Sequence, residues 1–515
     1  MIDGLTDTAQ RSNGDGLGVP LEHLDVLIVG AGLSGVGAAS QLRMNCPGKS
    51  FAILEARDSL GGTWDLFRYP GIRSDSDMYT LGYSFRPWVQ PEAIADGPSI
   101  LRYVADTARD FGVEREIRFG RRAVRASWST VDARWTVDVE HAGNGDTTQM
   151  TCGFLYLCTG YYRYDEGFTP EFEGADRFRG EIVHPQHWPD GLDYAGKRVV
   201  VVGSGATAVT LVPAMAETAA HVTMLQRSPS YVISLPSRDP IAERLNRALP
   251  AKVAYPIVRW KNALLANIFY KLSRRAPGLI RALIRRGVER QLPRGYDVDL
   301  HFEPRYDPWD QRVCLVPDGD LFKAIASGSA SMVTDGIETF TEDGLLLEGG
   351  DELEADVIIT ATGLNVLIFG DVAIEVDGEG IDVSESITYK GMMLGGVPNL
   401  AYALGYTNAS WTLKCDLVSE YVCRLVNHME AHGYRSCTPS GPDPSLPTEP
   451  LIDFNSGYVL RSIDKLPKQG SRTPWRLHQN YTLDMLALRY GGLGDEAMEF
   501  TRAGSAAEPA AAAPA

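Results

Sequence analysis

The chain has 515 residues, enough at roughly 100 to 200 residues per domain for two to four domains with full cores. Hydrophobic residues make up 44% and charged residues 22%, a globular mixture that excludes a fibrous, disordered or membrane-embedded chain. With 49 Lys and Arg against 66 Asp and Glu the formal net charge is −17, which repels polyanions and disfavours nucleic acid as a partner.

Residues 1–22 are polar and Gly-rich, without the apolar core of an export signal, and no run of apolar residues is long enough to span a bilayer. The first strand is the apolar run Asp25-Val-Leu-Ile-Val-Gly30, as expected of a parallel strand buried on both faces. Gly30-Ala-Gly32-Leu-Ser34-Gly35 follows, then a small-residue helix to about Met44 and a second strand, Phe51-Ala-Ile-Leu-Glu55. A G-x-G-x-x-G turn between strand and helix, with an acid 20 residues past Gly35, is the pattern of a dinucleotide site. Its glycines admit a pyrophosphate to the backbone, the helix N-terminus offers free N–H groups, and Glu55 accepts from ribose hydroxyls.

A second copy begins at Arg198-Val-Val-Val-Val202 and continues through Gly203-Ser-Gly205-Ala206-Thr207-Ala208 to the strand Val222-Thr-Met-Leu225. Gln226 stands where the first unit has Glu55, followed by Arg227 and Ser228, so the anionic ribose acceptor is replaced by a cation. That favours a 2′-phosphate, hence NADPH over NADH. Two such units in one chain point to two ligands, a tightly held FAD and an exchanging NADPH. Two strands that end in small-residue turns, at Gly160 and Gly363, are the expected crossings between the units.

The expected architecture is therefore α/β: two Rossmann-like dinucleotide-binding domains, the second inserted in the first. Residues 23–165 and 372–495 form the FAD-binding domain, 166–230 and 306–371 the NADPH-binding domain, and 231–305 a helical insertion. Within 251–295 stand eleven Lys or Arg and one acid, a local charge of about +10. Ile257, Trp260, Leu264, Ile268 and Leu272 recur at helical spacing, as do Leu279, Leu283 and Ile284. Two readings follow: a lid packed on the NADPH domain, or a surface attracted to anionic membranes. Residues 496–515, ending in an Ala- and Pro-rich run, are expected to be a disordered tail. Seven cysteines, an odd number without a C-x-x-C pair, argue against a disulfide framework and a redox dithiol and fit a reducing cytoplasm.

Between the glycine turns lies Phe178-Arg-Gly180-Glu-Ile-Val-His184-Pro-Gln-His-Trp188-Pro189. It matches the F-x-G-x-x-x-H-x-x-x-W-P fingerprint of type I Baeyer–Villiger monooxygenases; flavin-containing N- and S-monooxygenases have a similar pattern without the terminal Trp-Pro. Gly61-Gly-Thr63-Trp64, the run Tyr69-Pro-Gly-Ile-Arg-Ser-Asp75, Tyr306-Asp-Pro-Trp-Asp-Gln-Arg312, Tyr389-Lys-Gly-Met-Met and Gly405-Tyr-Thr-Asn-Ala-Ser-Trp411 resemble the mycobacterial ethionamide-activating subgroup of that family.

The resemblance implies a cycle in which NADPH reduces FAD, O2 is captured as a C4a-peroxyflavin, and a ketone is converted to an ester, with thioethers or thioamides as further substrates. It implies that Arg312 is the catalytic cation, that Asp75 orients it, and that Ser34, Thr63, Trp64, Ala206 and Thr207 join the cofactor sites. Phe178, Gly180, His184 and Trp188 become a linker with a hinge or orienting role, with a satisfied structural histidine as the other reading of His184. Many family members carry Lys before the catalytic arginine; Gln311 here leaves NADPH preference to Arg227 and Ser228. An N- or S-oxygenating flavin monooxygenase without ketone activity is the alternative; Trp411 is expected either to wall a substrate pocket or to sit in the core, with the core preferred.

Overall fold

The computed structural model describes residues 21–502 apart from 442, 444 and 453–455. The expected tails up to residue 20 and from 503 onward lie outside the described residues. Met498–Arg502, expected to be part of the C-terminal tail, is instead a strand antiparallel to Tyr434–Pro439. Its alternation explains this, since Met498 and Phe500 turn toward the protein while Glu499 and Thr501 turn away.

The apolar run becomes the strand His23–Val29, with Val26, Leu27 and Ile28 wholly buried. It lies between the parallel strands Phe51–Leu54 and Thr147–Leu157 in a nine-stranded sheet. The chain leaves this sheet after Leu157 and returns to it with Ala373–Val376, parallel to Arg121–Ser129, and Leu400–Tyr402, parallel to Thr147–Leu157. In between runs a five-stranded, all-parallel sheet of Ala330–Thr334, His221–Gln226, Arg198–Val202, Val357–Thr360 and Glu181–Val183, in that spatial order. The two crossings meet as an antiparallel pair, Tyr162–Gly167 with Leu364–Val366.

The glycine turns close in the same way in both units. Gly30 has φ +101° and a Cβ there would lie 2.6 Å from the carbonyl oxygen of Cys158; Gly203 has φ +141° and a Cβ would lie 2.3 Å from that of Ala361. Only glycine fits such a left-handed close approach. Gly35 faces the same restriction, since a Cβ would stand 1.8 Å from the carbonyl oxygen of Gly30.

The segment 231–305 opens with a strand, not a helix: Val232–Leu235 pairs parallel with Cys314–Pro317. Helices Pro240–Ala248, Ala251–Arg275, Pro277–Glu289 and Val298–Phe302 follow. The long helix is held by Arg259, which donates to the carbonyls of Tyr79, Thr80 and Gly82 at 2.9, 3.1 and 2.6 Å and pairs with buried Asp416 at 2.9 Å. Its inward residues are Ala254, Tyr255, Val258, Arg259, Ala263 and Ser273. The stripe of Ile257, Trp260, Leu264, Ile268 and Leu272, the expected packing face of a lid, points outward. Arg259 accounts for the inversion: its bonds fix the rotation of the helix, and the five larger apolar residues lie off that face.

Candidate active site

The first glycine turn and the start of the helix after the second open onto one cavity of about 540 Å³, whereas Gly35, Gly203, Gly205 and Ala208 do not line it; its volume is within the range of small-molecule sites. Gly30, Gly32, Ser34, Glu55, Thr63 and Trp64 line it from the first unit, Ala206, Thr207 and Thr210 from the second, and Asp75 and Arg312 between them. The two units touch here through the loop 69–75. Gly71 sits so tightly against the Ala206–Met215 helix that a Cβ would lie 2.7 Å from Cβ of Ala214. The Tyr69 phenol is buried and its pKa is pushed up to about 12, so it remains protonated beside Thr207.

Glu55 is buried, and its carboxylate accepts the backbone N–H of Ala31 at 2.8 Å and that of Arg57 at 3.0 Å. It therefore braces the glycine turn, and with two lone pairs on each oxygen it can still accept from a ligand. Thr63 begins a short helix, and its hydroxyl meets that of Tyr164 at 3.1 Å. Ser34 meets Trp411, whose indole N–H donates to the Ser34 hydroxyl at 2.8 Å.

For Trp411 the two expected roles, core and pocket wall, both hold. It borders the core but also lines the cavity, stacked on Tyr161 with ring centroids 4.9 Å apart and planes 14° apart. Tyr161 and Tyr164 carry no motif that sequence reading singled out, although they directly follow the first crossing at Gly160. Buried Asp65, paired with Arg57 at 2.6 Å, likewise emerges only from the fold.

Arg312 and Asp75, 237 residues apart, form an ion pair at 2.5 Å. The nearby Asp77 is accounted for separately: it caps the Met78–Leu81 helix by accepting from the Thr80 N–H at 3.1 Å, and it accepts from Asn262 at 2.8 Å. Arg73 is a further guanidinium in the cavity wall and pairs with Asp320. The loop bearing Arg312 passes through Trp309, whose φ of +73° is unusual for a bulky residue. The helical insertion clamps this loop: Tyr270 meets Trp309 edge-on at 5.8 Å, Arg281 pairs with Asp307 at 2.6 Å, and Arg274 pairs with Asp310.

Arg227 and Ser228 are exposed just past the strand His221–Gln226 and are not among the residues lining the cavity. Gln226 is turned inward, donating to the His301 carbonyl and the Thr334 hydroxyl at 2.9 Å each. Ser230, which sequence reading passed over, meets Ser204 of the second glycine turn at 2.9 Å.

The fingerprint is not a free linker. Its centre, Glu181–Val183, is the edge strand of the five-stranded sheet. Gly180 is required because a Cβ would lie 2.4 Å from the Asp356 carbonyl, and Phe178 packs edge-on against Phe340. His184 Nδ1 accepts from the Gln186 N–H at 3.2 Å, which leaves Nε2–H to donate to the Gly363 carbonyl at 3.1 Å. Burial lowers its pKa, consistent with a neutral ring that ties the fingerprint to the second crossing. Trp188 packs on Tyr194, and His187 meets the Asp165 carbonyl at 3.1 Å.

Two dinucleotide-type units bordering one cavity, with a fixed guanidinium between them, define an oxidoreductase built for two nucleotides. All seven cysteines are free and buried. The model of the flavin-binding monooxygenase-like family matches residues 91–375, and that of an NAD(P)-binding Rossmann-like domain matches residues 28–91. An FAD-containing monooxygenase, EthA, of Mycobacterium tuberculosis is 57% identical over 93% of this chain and 98% of its own. Its counterpart in Mycolicibacterium smegmatis is 53% identical over the same shares. Among solved structures, a steroid monooxygenase bound to NADP superposes with TM-score 0.74 at 23% identity, covering 93% of this chain and all of that one; this likeness is one of fold. The chain belongs to the flavin-binding monooxygenase-like family.

Proposed function

We propose that the protein is an FAD-containing, NADPH-dependent monooxygenase of Baeyer–Villiger type that converts ketones to esters and also oxidises sulfur in thioethers or thioamides. The observation that carries this reading is the Arg312–Asp75 pair, set in the cavity between the two glycine turns. The FAD-binding domain is assigned to residues 23–165 and 372–495, and the NADPH-binding domain to 166–230 and 306–371. Both turns leave room for a pyrophosphate: apart from its chain neighbours, nothing comes within 3.5 Å of a Cβ at Gly32, which lines the cavity, and nothing within 4 Å of one at Gly205 in the second turn.

Gly30, Gly32, Gly35 and Glu55 would hold the pyrophosphate and ribose of FAD, with Ser34, Thr63 and Trp64 along its length. Gly203, Gly205 and the helix start at Ala206, Thr207 and Ala208 would receive NADPH, with Arg227 and Ser228 at its 2′-phosphate. Bound and reduced, FAD supplies the transfer of one atom of O2 to the substrate, the other leaving as water. Negative charge develops on oxygen during that transfer, and a cation beside it lowers the barrier most if it is fixed in advance. Arg312 suits this because a guanidinium stays charged at any working pH. Asp75 holds its direction by a charge-assisted bond. His184 ties the edge of the NADPH-binding sheet to the second crossing at Gly363 and thereby helps to set the relative placement of the two cofactors, while Phe178, Gly180 and Trp188 pack the fingerprint against Phe340, Asp356 and Tyr194. The protein is assigned to the cytoplasm, where reducing conditions keep its seven thiols free.

The test is product analysis with a simple aliphatic ketone and, separately, a thioether. Ester from the ketone in an NADPH-dependent reaction supports the reading. Sulfoxide from the thioether with no ester from any ketone would reassign the protein as an N- or S-oxygenating flavin monooxygenase.

A further inference from the structure

The helical segment 251–289 presents an apolar face to solvent that the oxygenation chemistry does not use. Along the Ala251–Arg275 helix, Val253, Ile257, Trp260, Leu264, Ile268 and Leu272 are all exposed, Leu264 by 53% and Ile268 by 44%. The next helix adds Leu279 and Leu283, each 57% exposed. Trp260 meets Tyr481 with ring centroids 5.2 Å apart, and beyond Tyr481 stand exposed Leu483, Leu486 and Tyr490. Isolated exposed apolar side chains are ordinary; a stripe running the length of a long helix and joined by two further elements marks a contact surface.

Charge distinguishes the occupants of that surface. The protein carries −17 overall, yet residues 251–295 carry eleven cations and one acid, so the rest of the chain carries about −27. Inward cations of the segment are matched: Arg259 by Asp416, Lys261 by Asp239, Arg281 by Asp307 and Arg285 by Glu289. Lys271 and Arg275 are exposed. They stand 18 residues, or five helical turns, beyond Val253 and Ile257 respectively, and so share the direction of the apolar stripe. With Arg259, Lys261, Arg274 and Arg281 matched by acids outside the segment, about +6 remains, and a second copy docked symmetrically on this face would set that charge against its own like. An anionic lipid surface matches both features at once, attracting the cations and accepting the apolar side chains.

We infer that the protein docks peripherally on anionic membranes, with the outer face of the Ala251–Arg275 helix and the start of the Pro277–Glu289 helix lying in the interfacial layer. No helix among the described residues is long and apolar enough to cross a membrane, so this is contact with the surface. The opposite side of the same helices clamps the loop of Arg312 through Tyr270, Arg274 and Arg281. The docked face is therefore one helix away from the wall of the cavity.

The test is flotation of the full-length, FAD-loaded protein with vesicles of phosphatidylglycerol and phosphatidylcholine, and with phosphatidylcholine alone. Flotation is expected with the anionic vesicles at low salt. It should be weaker in molar salt, where the Debye length falls to about 3 Å, and weaker on neutral lipid. The double variant Leu264→Glu, Ile268→Glu should lose flotation, and the charge reversal Lys271→Glu, Arg275→Glu should reduce it severalfold. These residues are exposed, so both variants should keep bound flavin and wild-type NADPH oxidation in solution, which shows that they are folded. No flotation at low salt overturns the inference, as does flotation unchanged by Leu264→Glu, Ile268→Glu. Concentration-dependent dimerisation that the same variant abolishes, without vesicle binding, would assign the face to a second copy instead. None of these outcomes depends on which substrate is oxygenated.

Discussion

Replacing Arg312 with Ala removes the one cation that the fold places against Asp75 in the cavity. Loss of a single fixed charge-stabilising donor typically costs 10²- to 10³-fold in rate, so Arg312→Ala is expected to lower ester formation by about that factor while flavin remains bound. Asp75→Asn should act more mildly. Both partners are a third or more exposed, so their pairing adds about 1 kcal/mol or less to stability. Its value lies in aim: misplacing a reacting group by about 1 Å can cost 10²-fold. Asp75→Asn should therefore lower oxygenation without moving the melting temperature, measured side by side with wild type. At the second site, Arg227→Ala should raise KM for NADPH about tenfold, the effect of roughly 1.4 kcal/mol, and leave KM for NADH nearly unchanged. Equal effects on both nucleotides would remove Arg227 from the 2′-phosphate.

These residues also show what could be read from sequence. Gly30, Gly35 and Gly203 were legible because a Cβ at each would strike backbone a few residues or one strand away, a local demand that leaves a local pattern. Asp75 and Arg312 left no such trace: 237 positions separate them, and only their likeness to a family brought them together before the structure did. For the same reason sequence could not decide between core and pocket wall for Trp411, whose partner Ser34 lies 377 residues earlier. Arg227 and Ser228 were reached by aligning the two units, an argument that locates a strand end but not the direction of its side chains.

At the scale of elements, the long basic helix shows the difference between period and orientation. Hydrophobic spacing correctly gave a helix over this segment, but periodicity cannot say which way a face turns. Arg259 decides it. Its pair with Asp416 is almost wholly buried, 5% and 4% exposed, and removing one member of such a pair typically costs about 3–5 kcal/mol. Asp416→Ala should lower the thermal midpoint clearly. Replacing both partners with apolar residues should not restore it, because three carbonyls of residues 79, 80 and 82 would lose their donor. Full recovery in the double variant would mean that the carbonyl contacts contribute little. The strand Met498–Arg502 illustrates the opposite error, in which the low-complexity end of the chain masked five residues of simple alternation.

At the scale of the whole molecule, the α/β class and the interruption of one sheet by another were visible in the sequence, because each unit repeats the order strand, glycine turn, helix, strand. How the units face one another was not. That depends on Gly71 against Ala214, on Tyr69 beside Thr207, and on the neutral His184 that bonds the second crossing at Gly363. Together these contacts put the first glycine turn, the helix start at Ala206 and Thr207, and Arg312 on one cavity, and the proposed chemistry rests on that convergence. The most direct measurement supplies the purified yellow protein with NADPH, a simple ketone and isotopically heavy O2, and analyses the product together with NADPH consumed. The account predicts an ester carrying one heavy oxygen atom, formed in proportion to NADPH and nearly lost in Arg312→Ala. NADPH consumption matched by hydrogen peroxide, with no oxygen transferred to any ketone or thioether, would contradict it.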